Sequence, residues 1–413
     1  MPPFTRQNRG KVAGRVAGAL SVANFPVLWY NFQNRQIVLC LFGGKGDVMR
    51  LVSIELLTPD MKIARAVTNR DALILPAGRS NVTRYIPNLR NMGIEYVYVE
   101  DGKSEDIEIP DAVSEETRAN CKLVLQNSMQ QFSASDKIEF KSLQTCIDSV
   151  ITDILKNPDV QVSLSDIASN DEYTFTHSVS TMVYSLMIGR KLGYSESMMQ
   201  TLGLGTLLHD IGKLIIEKEV MFKEGKLTKE EYEYVKMHSL YGYQTLRRFA
   251  DMPEQARLIA YTHHERLDGS GYPRGLSGEE INEFSRIVAI ADVYDALTTT
   301  RCYRKKWPAH KAMEFLYEKS ETEFDHILVG LFTQQLAVYP NGSLVKLSNG
   351  CIALVCRQNR SMPLRPVVRV IQDRQGKEVT PYDVDLMREL SVTVIESELE
   401  INRNAPSIST DEL

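Results

Sequence analysis

Long apolar runs are missing from this chain. The best candidate, Val16 to Tyr30, is interrupted by Ser21, Asn24 and Pro26. It falls short of the ~18 uninterrupted apolar residues that a spanning helix needs. It also lacks a clear cleavage site, which argues against a signal peptide. No membrane association is therefore expected. Cysteine is sparse: residues 40, 121, 146, 302, 351 and 356 form no CxxC and no regular framework. That excludes a disulfide scaffold as the organising feature and fits reduced thiols in a cytosol. Excess positive charge is also absent. A formal net charge of −5 argues against a binder of nucleic-acid polymers. There is no internal repeat and no low-complexity tract.

What remains is ordinary in bulk and uneven in detail. The chain has 413 residues, 43% of them hydrophobic and 24% charged. This describes a globular protein of two or three domains. Residues 1–48 carry Arg6, Arg9, Lys11, Arg15, Arg35 and Lys45 against a single acid, Asp47. They show neither helical nor strand periodicity. Codons for Lys45-Gly46-Asp47 can spell a purine-rich ribosome-binding site ahead of Met49. Residues 1–48 are therefore expected to be an extension upstream of a native start at Met49. The rival reading is a disordered basic arm.

Residues 49–109 read as a small β-rich module. Ile63–Val67 and Ala72–Leu75 flank a turn at Asn69-Arg70-Asp71. Val82–Met92 follows as a helix and Ile94–Val99 as an alternating strand. Residues 110–159 are expected to be an acidic linker and helical connector. Ser114-Glu115-Glu116 opens a helix there that runs past Met129. Helical periodicity dominates 160–336, in segments such as Leu143–Leu155, Thr176–Leu192, Ser195–Ile211, Lys229–Phe249, Pro253–His264 and Asn282–Thr300, the first of which precedes the domain. At 337–413 the pattern changes to strands. Leu344–Ser348 and Cys351–Val355 flank Asn349-Gly350, a pair suited to a type I′ hairpin turn. Val367–Ile371 and a Gln375-Gly376 turn follow, and Asn402–Leu413 reads as a frayed tail. The expected architecture is mainly α: an all-helical bundle between a small N-terminal β-rich module and a small C-terminal β subdomain.

Histidine is where chemistry concentrates. Five of the seven histidines lie between 177 and 264. His310 and His326 stand alone and read as surface or satisfied core residues. The others have telling neighbours. His209-Asp210 ends the apolar segment Leu204–Leu208, where an unpaired polar pair would be costly. His263-His264 ends an amphipathic helix directly before Gly269-Ser270-Gly271-Tyr272-Pro273. His177 and His238 sit on apolar helical stretches. Asp292 directly follows the apolar run Ile287–Ala291, where a buried carboxylate needs a cation or donors. Five imidazoles and nearby aspartates suffice for more than one metal ion, which points to hydrolysis of a phosphate ester.

These residues resemble the HD superfamily of metal-dependent phosphohydrolases. The stretch His263-His264-Glu265-x-x-Asp268-Gly269-x-Gly271-Tyr272-Pro273 narrows the resemblance to its HD-GYP family. Matching motifs are Tyr173-Thr174-x-x-His177-Ser178, His209-Asp210-Ile211-Gly212-Lys213, Lys226-Leu227-Thr228 with Glu230-Glu231, His238-x-x-x-Gly242, and Ala291–Thr298. The resemblance covers roughly 160–336.

It implies hydrolysis of cyclic di-GMP, a bacterial second messenger, to pGpG and in some members GMP, in the cytoplasm. It implies two divalent ions, with iron or manganese suited to imidazole and carboxylate donors without thiolate. The implied ligands are His177, His209, Asp210 and Asp292 for one ion. His238, His263 and His264 hold the other, with Asp210 bridging. Some members hold a third metal through a glutamate one turn before the first histidine. Here Tyr173 occupies that position and Glu172 points about 100° away.

Lys213, three residues after Asp210, is expected on the same side of a helical turn, placed to hold a phosphate oxygen or stabilise the leaving group; the alternative is a surface lysine. Tyr272 either touches guanine or phosphate, or packs the loop. Arg301 and Arg304 fit a substrate-binding basic segment, with a solvated charge run as the rival. Glu265, Asp268 and Asp295 would orient ligand histidines or brace the turn. The competing function is a cyclic di-GMP receptor or docking module with little turnover; a third is cleavage of another cyclic dinucleotide. A diguanylate cyclase or other signalling protein is an expected partner, and helical linkers such as 114–129 suit a homodimer. No receiver pattern and no diguanylate-cyclase motif accompany the domain.

Overall fold

The computed structural model describes residues 49–397, apart from 70–71, 93, 95, 103, 105, 159, 163–172, 222, 224 and 300–305, together with strands at 28–30 and 37–39. Residues 1–47 form a unit of their own. In it β1 (Leu28–Tyr30) pairs antiparallel with β2 (Ile37–Leu39). No strand was expected there, because three-residue strands are too short to register as periodicity. The expectations about a start at Met49 and a frayed tail at 402–413 lie outside the described residues.

In the second unit, β3 (Arg50–Ser53) and β4 (Lys62–Ile63) pair antiparallel with β7 (Tyr96–Glu100). The hairpin joins β5 (Val67–Asn69) and β6 (Ala72–Leu75). The first hairpin strand thus starts where the sequence reading ended it. Val67 turns inward to a separate core with Val52, Ile63, Leu75 and Val99. The expected helix at 82–92 is a 3-10 turn, Val82–Tyr85, that widens into α1 (Ile86–Asn91).

Helix α2 (Glu115–Ser135) begins at Ser114, whose hydroxyl accepts from the Thr117 amide, as the Ser-Glu-Glu signal predicts. Helix α3 (Phe140–Lys156) buries Leu143, Ile147, Val150 and Ile154 at helical spacing. Both helices share one apolar core with α4 (Tyr173–Lys191), α5 (Glu196–Leu207), α8 (His238–Leu246), α9 (Glu254–Thr262), α10 (Glu283–Thr298), α11 (Ala309–Glu318) and α12 (His326–Thr333), whereas the intervening α6 (Lys218–Met221) and α7 (Lys229–Lys236) bury no residue. Helix α4 packs on α5 and α10 near the centre of this bundle.

Two expected helices are divided. Ser195–Ile211 stops at Leu207, and Ile211–Leu214 re-forms as a 3-10 turn. Lys229–Phe249 breaks at Met237, whose amide reaches the Tyr234 and Val235 carbonyls. Both breaks fall beside histidines, so a continuous pattern conceals the points where the chain turns to present them.

The C-terminal sheet runs β11 (Glu378–Asp385), β10 (Val367–Gln372), β9 (Ile352–Arg357), β8 (Leu344–Leu347) and β12 (Val394–Ser397), all antiparallel. The β8–β9 hairpin exists, but its turn is not type I′. Gly350 has φ +87° while Asn349 does not enter the left-handed region. The Gly350 amide donates to Leu347, giving a three-residue loop with glycine in the left-handed position. The fold is therefore a mainly helical bundle with a small sheet on each side in sequence. Among the described residues, no helix is long and apolar enough to cross a membrane.

Candidate metal centre

The helical bundle brings five segments to one point. Helix α4 contributes His177, and the chain leaving α5 contributes His209 and Asp210. His238 opens α8, His263 and His264 follow α9, and α10 carries Asp292 and Asp295. His177, His209, His238 and His263 are all buried, as are Asp210 and Asp292. Burying so many polar groups together has a cost that hydrogen bonds or cations must offset.

Each of four imidazoles is aimed through its Nδ1. His209 Nδ1 lies 2.6 Å from the Thr206 carbonyl, His238 Nδ1 2.8 Å from Val235, and His263 Nδ1 2.9 Å from Ile259. These carbonyls stand three or four residues earlier, so local helix geometry supplies them. His177 Nδ1 instead meets Asp295 Oδ2 at 2.6 Å, across the bundle. In the three rings held by carbonyls, donation from Nδ1 leaves the Nε2 lone pair facing inward, while His177 Nε2 faces Asp292 Oδ1 at 3.0 Å.

Asp210 sits between two sets of these nitrogens. Its Oδ2 lies 3.3 Å from His209 Nε2 and 4.0 Å from His177 Nε2. Its Oδ1 lies 3.5 Å from His238 Nε2 and 3.9 Å from His263 Nε2. Donor atoms of His177, His209 and Asp292 fall within 4.8 Å of one another, and so do those of His238, His263 and His264. His209 Nε2 and Asp210 Oδ1 are buried without a hydrogen-bond partner. Orphaned acceptors at the centre of a His/Asp cluster fit a site for cations.

Charge coupling runs through the same atoms. Burial opposes charge on Asp210, but His209 and Lys213 outweigh it and hold the carboxyl well below its usual range. Burial likewise opposes ionisation of Asp292, and His177 outweighs it. Burial also opposes a proton on His177, yet Asp292, 3.0 Å from Nε2, and Asp295 raise its pKa to about 9. Burial depresses His238 to about 4 and His263 to about 3, and pushes His264 well down. The second set is thus neutral and ready to ligate.

Around the centre, Lys213 Nζ stands 2.6 Å from Asp210 Oδ2. The two residues face each other because the 3-10 turn eclipses positions i and i+3. Glu265 is buried and accepts from the Arg274 amide at 2.8 Å and the Leu276 amide at 3.0 Å, bracing the turn. Asp268 does not reach the histidines. It is exposed and accepts from the Ser270 amide at 2.9 Å. Tyr272 stacks on His264, with ring centroids 4.6 Å apart and planes at 25°.

Beside the cluster, Gly212 and Gly271 sit where close approach demands glycine. A Cβ on Gly212 would lie 1.9 Å from the His238 carbonyl oxygen. One on Gly271 would lie 2.4 Å from the Glu265 Cα. Arg301, Arg304, Glu172 and the Tyr173 side chain lie outside the described residues. Two neighbours of this turn went unread in the sequence: Lys236 of α7, with Nζ 5.3 Å from the Tyr272 ring centroid, and Tyr232, whose ring centroid is 4.7 Å from the same Nζ. Their signal was i, i+4 spacing just ahead of His238.

Residues 162–328 match the family model described as HD domain, and residues 344–403 match a KOW domain associated with HD domain. The helical region is an HD domain, a class that implies divalent-metal binding, and the His/Asp cluster supplies the donors. Within that class, the His-His-Glu and Gly-Tyr-Pro motifs resemble those of the HD-GYP family. The chain is 34% identical over 238 residues to cyclic di-GMP phosphodiesterase PA4108 of Pseudomonas aeruginosa, covering 58% of this chain and 57% of that protein. It is 37% identical over 175 residues to 3′3′-cGAMP-specific phosphodiesterase 3 of Vibrio cholerae, covering 42% and 38%. The chain spans 57% and 38% of the length of these two relatives. Bd1817 of Bdellovibrio bacteriovorus, a solved HDG"Y"P structure, is 18% identical with a TM-score of 0.40, covering 69% of this chain and 98% of that one.

Proposed function

We propose that this chain is a cyclic di-GMP phosphodiesterase that opens a 3′–5′ phosphodiester bond to give pGpG and, on further hydrolysis, GMP. One observation carries the reading: a buried carboxylate, Asp210, whose two oxygens face two different sets of imidazoles. His177, His209 and Asp292 with Asp210 would hold one divalent ion. His238, His263 and His264 with Asp210 would hold the other. Bound there, two such ions supply an acidified water and neutralise charge on a phosphate. The donor set is imidazole and carboxylate without thiolate, which suits iron or manganese. The number is two, because the position one turn before His177 is tyrosine rather than glutamate.

The chain's own residues supply the rest. Lys213 lies at the partly exposed edge of the cluster, where its ammonium can take a phosphate oxygen. Glu265 fixes the loop that carries Tyr272. Asp295 fixes the His177 ring. Arg301 and Arg304 are the arginines we assign by sequence to bidentate phosphate or guanine-edge contacts. The proposed setting is the bacterial cytoplasm, with a diguanylate cyclase or other signalling protein as functional counterpart. A second reading, cleavage of 3′3′-cGAMP, is favoured by the similarity to a V. cholerae enzyme named for that activity.

The test is turnover by protein loaded anaerobically with Fe(II) or Mn(II), offered cyclic di-GMP and 3′3′-cGAMP separately, with products resolved by chromatography. Formation of pGpG supports the reading. Tight binding of cyclic di-GMP without product would replace it with a receptor.

A further inference from the structure

Helix α7 places an aromatic ring and an ammonium at the mouth of the cluster. Lys236 Nζ stands 4.7 Å from the Tyr232 ring centroid and 5.3 Å from that of Tyr272. Tyr272 in turn stacks on His264 and lies 6.4 Å edge-on from His238. A continuous wall therefore runs from the imidazoles through Tyr272 and Lys236 to Tyr232. Tyr272 is packed into that wall, with an imidazole against its ring and an ammonium over it. Tyr232 differs: it is 50% exposed. An exposed aromatic beside a buried polar cluster is a stacking platform for a planar ligand.

Lys236 is held on the same side of α7 as Tyr232 because the two are four residues apart. Its protein carboxylate partner, Glu233 at 2.7 Å, is 68% exposed. Such surface pairs are weak and readily exchanged for a ligand. The ammonium can thus point to the edge of a base stacked on Tyr232. Guanine offers two acceptors there, O6 and N7, whereas adenine offers a donor in place of O6.

We propose that Tyr232 and Lys236 bind a guanine base of the substrate, Tyr232 by stacking and Lys236 by donating to its O6/N7 edge. This rests on the cyclic di-GMP reading above and names the residues that select the base within it.

The experiment uses the full chain and its Lys236→Met, Tyr232→Leu and Tyr232→Phe variants. Equilibrium binding of cyclic di-GMP and cyclic di-AMP is measured for each. Turnover of cyclic di-GMP and of bis(p-nitrophenyl) phosphate, a diester without a base, is measured on Mn(II)-loaded protein. Lys236→Met should weaken cyclic di-GMP binding roughly tenfold, the effect of one charge-assisted hydrogen bond, and leave cyclic di-AMP unchanged. Tyr232→Leu should weaken both ligands by about tenfold, and Tyr232→Phe should restore them. Hydrolysis of the simple diester should not move in any variant. Equal loss of both ligands in Lys236→Met would make it a phosphate contact and overturn the guanine assignment. Variants that bind like the parent would overturn it too. Should the parent cleave the simple diester yet neither bind nor cleave cyclic di-GMP, the substrate reading itself falls and takes this assignment with it.

Discussion

His177 Nδ1 lies 2.6 Å from Asp295 Oδ2, joining α4 to α10 at the His/Asp cluster. This contact sets the ring so that Nε2 faces Asp292 and Asp210. The other histidines with an Nδ1 contact lean on nearby backbone carbonyls; His177 depends on a side chain 118 residues away. Replacing Asp295 by alanine should therefore lower metal affinity by about 10–100-fold, the usual cost of losing such a partner. Metal content after dialysis against a graded chelator checks this. Unchanged retention would mean the ring is fixed by packing alone.

Asp210 faces both histidine sets, so Asp210→Ala should empty both positions rather than one. Metal analysis should show loss of both ions, and turnover should fall by at least about a thousandfold, the scale of a lost electrostatic element of catalysis. His264→Ala should remove only one ion. Retention of one full equivalent in Asp210→Ala would contradict the bridging position.

Lys213 bonds the same carboxylate from the partly exposed side. If its ammonium holds a phosphate oxygen, Lys213→Ala should cut kcat/KM by roughly tenfold or more while the metal content stays intact. Loss of metal with no separate kinetic effect would make Lys213 a support for Asp210 only.

Gly271→Ala would drive a methyl group to 2.4 Å from the Glu265 Cα and the Arg266 amide nitrogen. Overpacking of this kind costs about 1–3 kcal/mol. A lowered Tm is expected, together with weaker substrate binding because the Tyr272 loop must move. A melting temperature equal to the parent's would show that the loop yields freely.

Metal-free protein should have a stability maximum near pH 6.5. Burial holds His238 at about 4 in the folded state, below its ordinary 6.5. Between those values the unfolded chain binds a proton that the folded chain refuses, so stability falls as pH falls. His177 behaves oppositely: burial opposes its proton, but Asp292 and Asp295 raise it to about 9. Its contribution is present below 6.5 and is lost as pH rises through about 9. Thermal melts of chelator-treated protein should trace that dome, and His177→Gln should flatten its alkaline side. A monotonic profile would argue against both assignments.

Much of this was legible in the chain. Helical spacing in α3, the Ser114 cap and the ordered His/Asp motifs are local or fixed-spacing signals, and they need no knowledge of the fold. The type I′ turn at Asn349-Gly350 and the unbroken helix across Met237 were read differently, because sequence patterns do not report single backbone dihedrals. Tyr232 and Lys236 belong to no motif of the sequence reading. Only packing brings them to Tyr272.

By itself the sequence determined which residue types were available for metal chemistry, and that they would be buried, since His209-Asp210 and Asp292 interrupt apolar segments. The tertiary structure decided their partition. Asp210 has two oxygens, and the crossing of α4, α8 and α10 alone aims them at different imidazoles. That division is a matter of distances between segments far apart along the chain, and such distances arise only when the helices pack.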